Sequence, residues 1–142
     1  MDYREQAEKI SALLTTINKK IHLDFARHLE SFGLTVPQMF VLRILGTEND
    51  LSISELSKRV GLTNSTVSGI VDRLEKEGYV QRQRDEKDRR VVYVKLTEKS
   101  RKLKQQIPVF KHDYFGSWIK ELEHEKVEQI IESLSILARV LG

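Results

Sequence analysis

Between Ile10 and Phe32 an apolar residue returns every three or four positions, as Ile10, Leu14, Ile17, Ile21, Phe25, Leu29 and Phe32. That spacing lines one face of an α-helix, and Gly33 stands where a helix of this kind stops. A helix so long cannot bury its stripe against its own turns, so something else must pack along it. The C-terminal end repeats the problem. Val127, Ile130, Ile131, Leu134, Leu137, Ala138 and Leu141 form a one-sided stripe whose opposite face is charged, and after Thr97 a third stripe runs through Leu103, Ile107, Phe110, Tyr114, Trp118 and Leu122. Pro108 is expected to kink that third helix. Only two prolines and seven glycines in 142 residues leave little room for the turns of a β-sandwich. One mainly α domain is the expectation.

Between these arms the pattern changes. Thr35 and Gln38 have capping-box spacing, with Pro37 tolerated in the first turn, and open a short helix carrying Phe40, Val41, Ile44 and Leu45. Gly46 and Asn49-Asp50 are expected to end it. Ser52 and Glu55 repeat the capping spacing ahead of Ile53, Leu56 and Val60, and Gly61-Leu62 breaks that helix. Thr63 can cap the next one, where Val67, Ile70, Val71 and Leu74 share a face and Gly78 follows. Tyr79-Val80 and Val91 to Leu96 are rich in β-branched and aromatic residues, and the charged segment Gln81 to Arg90 lies between them. This predicts a two-stranded ribbon with a charged tip.

Charge follows the same division. Residues 53 to 96 hold ten basic and seven acidic side chains, whereas the other 98 residues hold 14 of each, so the whole excess of +3 sits in the central segment. A segregated basic region is the footprint of a polyanion-binding surface. Two short helices joined by a glycine-containing turn form a helix-turn-helix, whose second helix can enter the DNA major groove. Thr63, Asn64, Ser65, Thr66 and Ser68 supply short hydrogen-bonding side chains on its outward face. Such residues also cap helices, but five exceed what one cap needs. Arg73 lies further along the same helix. The ribbon tip adds Arg84, Lys87, Asp88, Arg89 and Arg90. A basic ribbon directly after a helix-turn-helix is the winged-helix layout, in which a wing arginine can enter a narrow minor groove.

Several of these residues stand in a known arrangement. Asp88-x-Arg90, then five residues and Leu96-Thr97, and also Leu34-Thr35-x-x-Gln38 with Leu42, resemble signatures of the MarR family of bacterial transcription regulators. Leu56-Ser57-x-x-Val60-Gly61 and Val71-Asp72-x-Leu74-Glu75-x-x-Gly78-Tyr79-Val80 are similar to its helix-turn-helix pattern. The resemblance spans nearly the whole chain. It implies a winged-helix homodimer on a DNA operator, usually a repressor, released by a small ligand or by oxidation. It makes Arg90 the wing arginine that reaches the minor groove and Asp88 the acid that orients it. One branch of the family senses peroxide through a cysteine, and this sequence contains none.

The expected fold class is therefore mainly α (α+β), a winged helix-turn-helix with a two-stranded wing, flanked by N- and C-terminal dimerisation helices. Residues 35–96 would form the DNA-binding lobe, and residues 1–34 with 97–142 the helical dimerisation region. The rival to dimerisation is a helical cap folding back on its own chain. The rival to DNA is a winged-helix module that binds an acidic protein. An enzyme has no support: there is no cysteine, Gly-x-Ser-x-Gly elbow, phosphate loop or dinucleotide turn. Neither a cofactor nor a metal is expected, because His22, Asp24, His28 and His112 lack metal-ligand spacing. Tyr114, Phe115 and Trp118 could line a pocket for a small organic effector, though aromatics at helical spacing are more often core. The charged N-terminus and the lack of any run of 18 apolar residues point to a cytoplasmic protein without a membrane partner.

Overall fold

Side-chain caps open the first five helices. The computed structural model describes residues 1–107 and 114–142, in two compact units that divide between residues 110 and 111. In the first unit, α1 (Tyr3–Glu30) starts where the Asp2 carboxylate accepts the Glu5 N–H at 2.8 Å and the Glu5 carboxylate accepts the Asp2 N–H at 3.0 Å. The expected reciprocal pair of Thr35 and Gln38 opens α2 (Val36–Glu48). Hydroxyls of Ser52, Thr63 and Thr97 cap α3 (Ile53–Val60), α4 (Asn64–Lys76) and α5 (Glu98–Gln106). Each cap is worth about 1 kcal/mol and fixes the residue at which a helix begins. The apolar face of each helix is thereby aimed.

Gly33 ends the first helix as its sequence position suggests. Its φ is 68°, and Leu34 N–H reaches back to the Leu29 carbonyl at 3.3 Å while Gly33 N–H reaches Glu30 at 3.1 Å. Gly46, by contrast, does not end α2. The helix runs through it to Glu48, and the break comes at Asn49, whose φ of 62° is rare except for glycine and short polar residues. The third apolar stripe is also not one kinked helix. α5 ends at Gln106, and Ile107 is extended, with φ −103° and ψ 116°, the conformation demanded of a residue before proline. Pro108, Phe110 and His112 lie outside the described residues.

The wing strands β2 (Val80–Arg84) and β3 (Val92–Leu96) pair antiparallel, with Val80 opposite Leu96 and Arg84 opposite Val92. A third strand, β1 (Leu51–Ser52), pairs with the other edge of β3, so the sheet has three strands in the order β1-β3-β2 rather than the two expected. Two residues are too few to show a period of two, and Ser52 also serves as a helix cap. Strand β2 also runs into the charged segment, through Arg84, because ladder pairing to β3 outweighs a charged composition.

Fully buried side chains come from nearly every element of this unit: Leu29, Met39, Leu45, Leu56, Leu74, Val80 and Val94 among them. The junction after α4 is tied down by Thr97, whose hydroxyl donates to the Gly78 carbonyl at 2.6 Å. Tyr79 is buried beside it and donates its phenol O–H to the Phe32 carbonyl at 3.5 Å. The start of α1 is not covered. Ile10 and Ile17 are 50% and 49% exposed, whereas Phe25 and Leu29 are buried.

In the second unit, α6 (Gly116–Ile119) is a single turn, and Tyr114, Phe115 and Trp118 meet edge-to-face with ring centroids 5.0 to 5.5 Å apart. Helix α7 (His124–Val140) carries the expected stripe, with Ile131 and Leu134 53% and 54% exposed. Among the described residues no helix is long and apolar enough to cross a membrane. Replacing Leu74, which has no exposed surface, by alanine should cost about 2–5 kcal/mol, to be read as a lower urea midpoint with unchanged slope.

Candidate nucleic-acid interface

The second helix of the helix-turn-helix is held by one face and offered by the other. Val67, Val71 and Leu74 of α4 are completely buried, while Thr63, Asn64, Ser65 and Thr66 are exposed. Ser68 and Ile70 are half-buried between the two faces. Thr63 caps the helix, its hydroxyl oxygen accepting the Thr66 N–H at 3.2 Å and donating to the Thr66 hydroxyl at 2.9 Å, and it stays exposed. Asn64 and Ser65 make no side-chain hydrogen bond to any described residue. Backbone N–H groups in a first helical turn also point outward, where they favour anions. Arg73 is exposed two to three turns further on and forms no ion pair among the described residues.

At the wing tip the acidic residues organise the loop more than they neutralise it. Asp85 accepts the Lys87 N–H at 3.0 Å, and Asp88 accepts the Arg90 N–H at 3.1 Å, two short turns closed by side-chain carboxylates. Asp88 also accepts from Arg90 Nε at 3.3 Å, yet the Arg90 side chain remains 92% exposed. The carboxylate thus tethers both the backbone N–H and the guanidinium Nε of the arginine, while the side chain stays largely in solvent. Arg84 donates across the tip to the Arg89 carbonyl at 3.3 Å, and Arg84, Lys87 and Arg89 are all exposed. Exposed ion pairs of this kind contribute little to stability.

A further residue couples wing and helix. Arg82 on β2 donates to Asp72 at 2.6 Å and to Glu75 at 2.9 Å, and its backbone N–H donates to Glu75 at 3.0 Å. Partial burial would lower the Arg82 guanidinium pKa, but the hydrogen bonds to Asp72 and Glu75 outweigh that and raise it above the usual arginine value. Sequence reasoning counted Arg82 only as a basic residue. The available signal was the pair of acids three apart on α4, followed closely by an arginine in the next strand.

Other candidates stay apart from this surface. His22 is exposed on α1, and Asp24 pairs with Arg27 and lies 3.7 Å from His28. Among the described residues no three potential metal ligands cluster.

This arrangement matches known proteins closely. A family model described as the MarR family matches residues 34–92, from the approach to α2 through the start of β3. The chain is 36% identical over 140 residues to the uncharacterised HTH-type transcriptional regulator YfiV of Bacillus subtilis (strain 168), covering 91% of this chain and 88% of that protein.

The chain belongs to the MarR family. Proteins of this family are transcription regulators and not enzymes. A MarR family protein from Bacillus stearothermophilus superposes with a TM-score of 0.79 and 28% identity, covering 99% of this chain and 98% of that one. FabT of Streptococcus pneumoniae, solved in complex with DNA, superposes with a TM-score of 0.81 and 26% identity, covering 95% and 96%. The winged helix-turn-helix of this MarR-family chain is thus found in a relative captured on DNA.

Cutting the Arg82 tether should loosen the wing more than the core. Arg82→Met is expected to cost about 1–2 kcal/mol and to speed hydrogen exchange of the β2 amides, while the amides of α2 keep their protection. Equal acceleration in both would show that Arg82 supports the whole lobe instead.

Proposed function

We propose that this chain is a sequence-specific duplex-DNA-binding regulator, acting as a cytoplasmic homodimer on a pseudo-palindromic operator and most simply as a repressor. The observation that carries the reading is the wing tip: Arg90 is tethered by Asp88 through its backbone N–H and its Nε, and its side chain is still 92% exposed. An aimed cation suits a narrow, strongly negative minor groove, while the polar start of α4 suits the major groove. In this reading Thr63, Asn64, Ser65, Thr66 and Ser68 contact bases and phosphates, and Arg73, Arg84, Lys87, Arg89 and Arg90 meet the DNA backbone and minor groove. Asp88 positions Arg90.

Residues 35–96 form the DNA-binding lobe, and residues 1–34 with 97–142 bring two copies together. Exposed apolar side chains in the first half of α1 and along α7, each described within its own unit, support this. Pairing two copies would set recognition helices about 34 Å apart to read half-sites about 10 bp apart. Release by a small organic ligand is favoured over thiol oxidation because the chain has no cysteine.

Selection of random duplexes on the purified protein should enrich an inverted repeat bound by two chains. On that duplex, neutralising about eight phosphates predicts a log–log salt slope near −7. Arg90→Ala should weaken binding without moving the thermal midpoint, and wild-type affinity in that variant would remove Arg90 from the interface. A shallow slope with no enriched sequence would favour an acidic protein partner. Analytical ultracentrifugation at micromolar concentration should give twice the chain mass, and a monomer there would exclude the dimer.

A further inference from the structure

We propose that the cleft between the start of α2 and the outer face of α4 seats one deoxyribose-phosphate unit of the DNA backbone, an assignment that rests on the DNA-binding reading above. The cleft measures about 400 Å³, and Pro37, Leu62 and Ile70 give it apolar walls. Gln38, Thr66 and Arg73 bring polar groups to it, and Gly69 lies at its side.

Gln38 is the unusual member. It is only 3% exposed, and its side-chain oxygen accepts the Thr35 N–H at 2.9 Å, which orients the amide. The amide nitrogen, with two protons to donate, bonds to no described residue. Among the described residues no fully buried side-chain nitrogen or oxygen lacks a partner. The Gln38 nitrogen therefore reaches open space, and this cleft is open space that Gln38 lines. Thr63 and Thr66 share one hydroxyl–hydroxyl bond, so one of their two protons is left over. Arg73 is exposed and forms no ion pair among the described residues, so its charge is available to a phosphate.

Gly69 completes the case. Glycine is a poor helix former, yet Gly69 sits inside α4, and among the described residues a Cβ there would meet nothing within 4 Å beyond its own stretch of helix backbone. The fold does not need that space. A bare stretch of backbone lets another backbone approach closely. A sugar fits the apolar walls, and its phosphate meets three donors that carry no sequence preference.

Anisotropy titrations of a labelled random-sequence duplex over a range of salt concentrations test the seat. Gln38→Glu keeps the acceptor that caps α2, so its thermal midpoint should hold or rise, but it replaces the donor with charge and should weaken binding at least about tenfold. Gln129→Glu, the same charge change on α7, should alter affinity by less than about twofold. Arg73→Gln should reduce the salt slope by about one per protomer. Gly69→Leu should raise the thermal midpoint and weaken binding, and it decides the matter should Gln38→Glu fail to fold. Wild-type affinity in folded Gln38→Glu or Gly69→Leu overturns the seat while leaving DNA binding intact. A wild-type chain that binds no duplex even at low salt overturns the DNA reading itself. If inorganic phosphate shifts the Gln38 side-chain NH2 resonances at low millimolar concentration while both variants bind DNA normally, the cleft holds a free oxyanion and the backbone seat is wrong.

Discussion

The burial of Val67, Val71 and Leu74 is the constraint on which the rest of the molecule depends. These three side chains leave no surface to solvent, and their spacing places them on one stripe of α4. Burying each contributes about 1.5–3 kcal/mol, enough together to lock the rotation of the helix about its axis. Once that rotation is set, the opposite face has no freedom either. Thr63, Asn64, Ser65 and Thr66 are turned to solvent because the valines and the leucine are not, and Gly69 is exposed for the same reason. A polar recognition surface is thus a by-product of apolar packing.

Electrostatics then divides the carboxylates between two tasks. Asp72 and Glu75 bind Arg82 and fasten the wing to α4, while Asp85 and Asp88 fold the wing tip by accepting backbone N–H groups. Neither task cancels the outward cations. Arg73, Lys87 and Arg89 remain exposed, and the Arg90 side chain is 92% exposed although its Nε pairs with Asp88. A tip with three acids among four bases is nearly neutral in composition, but Asp85 and Asp88 are turned to backbone N–H groups, leaving Glu86 and the four bases exposed.

Much of this was legible in the sequence, for identifiable reasons. Capping residues act within three or four positions, so Thr35, Ser52, Thr63 and Thr97 announce helix starts that the structure bears out. The stripes on α1 and α7 are periodic over many turns, and their periods survive in the fold. Less visible was anything that depends on a distant partner. Strand β1 exists only because the far edge of β3 needs hydrogen-bond partners, and two residues carry no pattern of their own. Of the two stop signals after Leu45, Asn49 ends α2 as its local chemistry suggests, whereas helix packing carries the chain straight through Gly46. For Arg82, ten residues separate it from Asp72, and only the return of β2 alongside α4 makes them neighbours.

By itself, then, the sequence determined the order of elements, the boundaries of most helices, the apolar face of each, and the membership of a family whose motifs are spelled in local spacing. Those properties are set by interactions reaching no further than one or two helical turns. Only the tertiary structure decided how the charges are used and where open space remains. It committed Asp72 and Glu75 to Arg82, left the Gln38 amide nitrogen unbonded at a cleft, and placed no atom over Gly69. The reason is physical: hydrogen-bond partnership and free volume depend on distances between segments far apart in the chain, and no periodicity along the sequence encodes them.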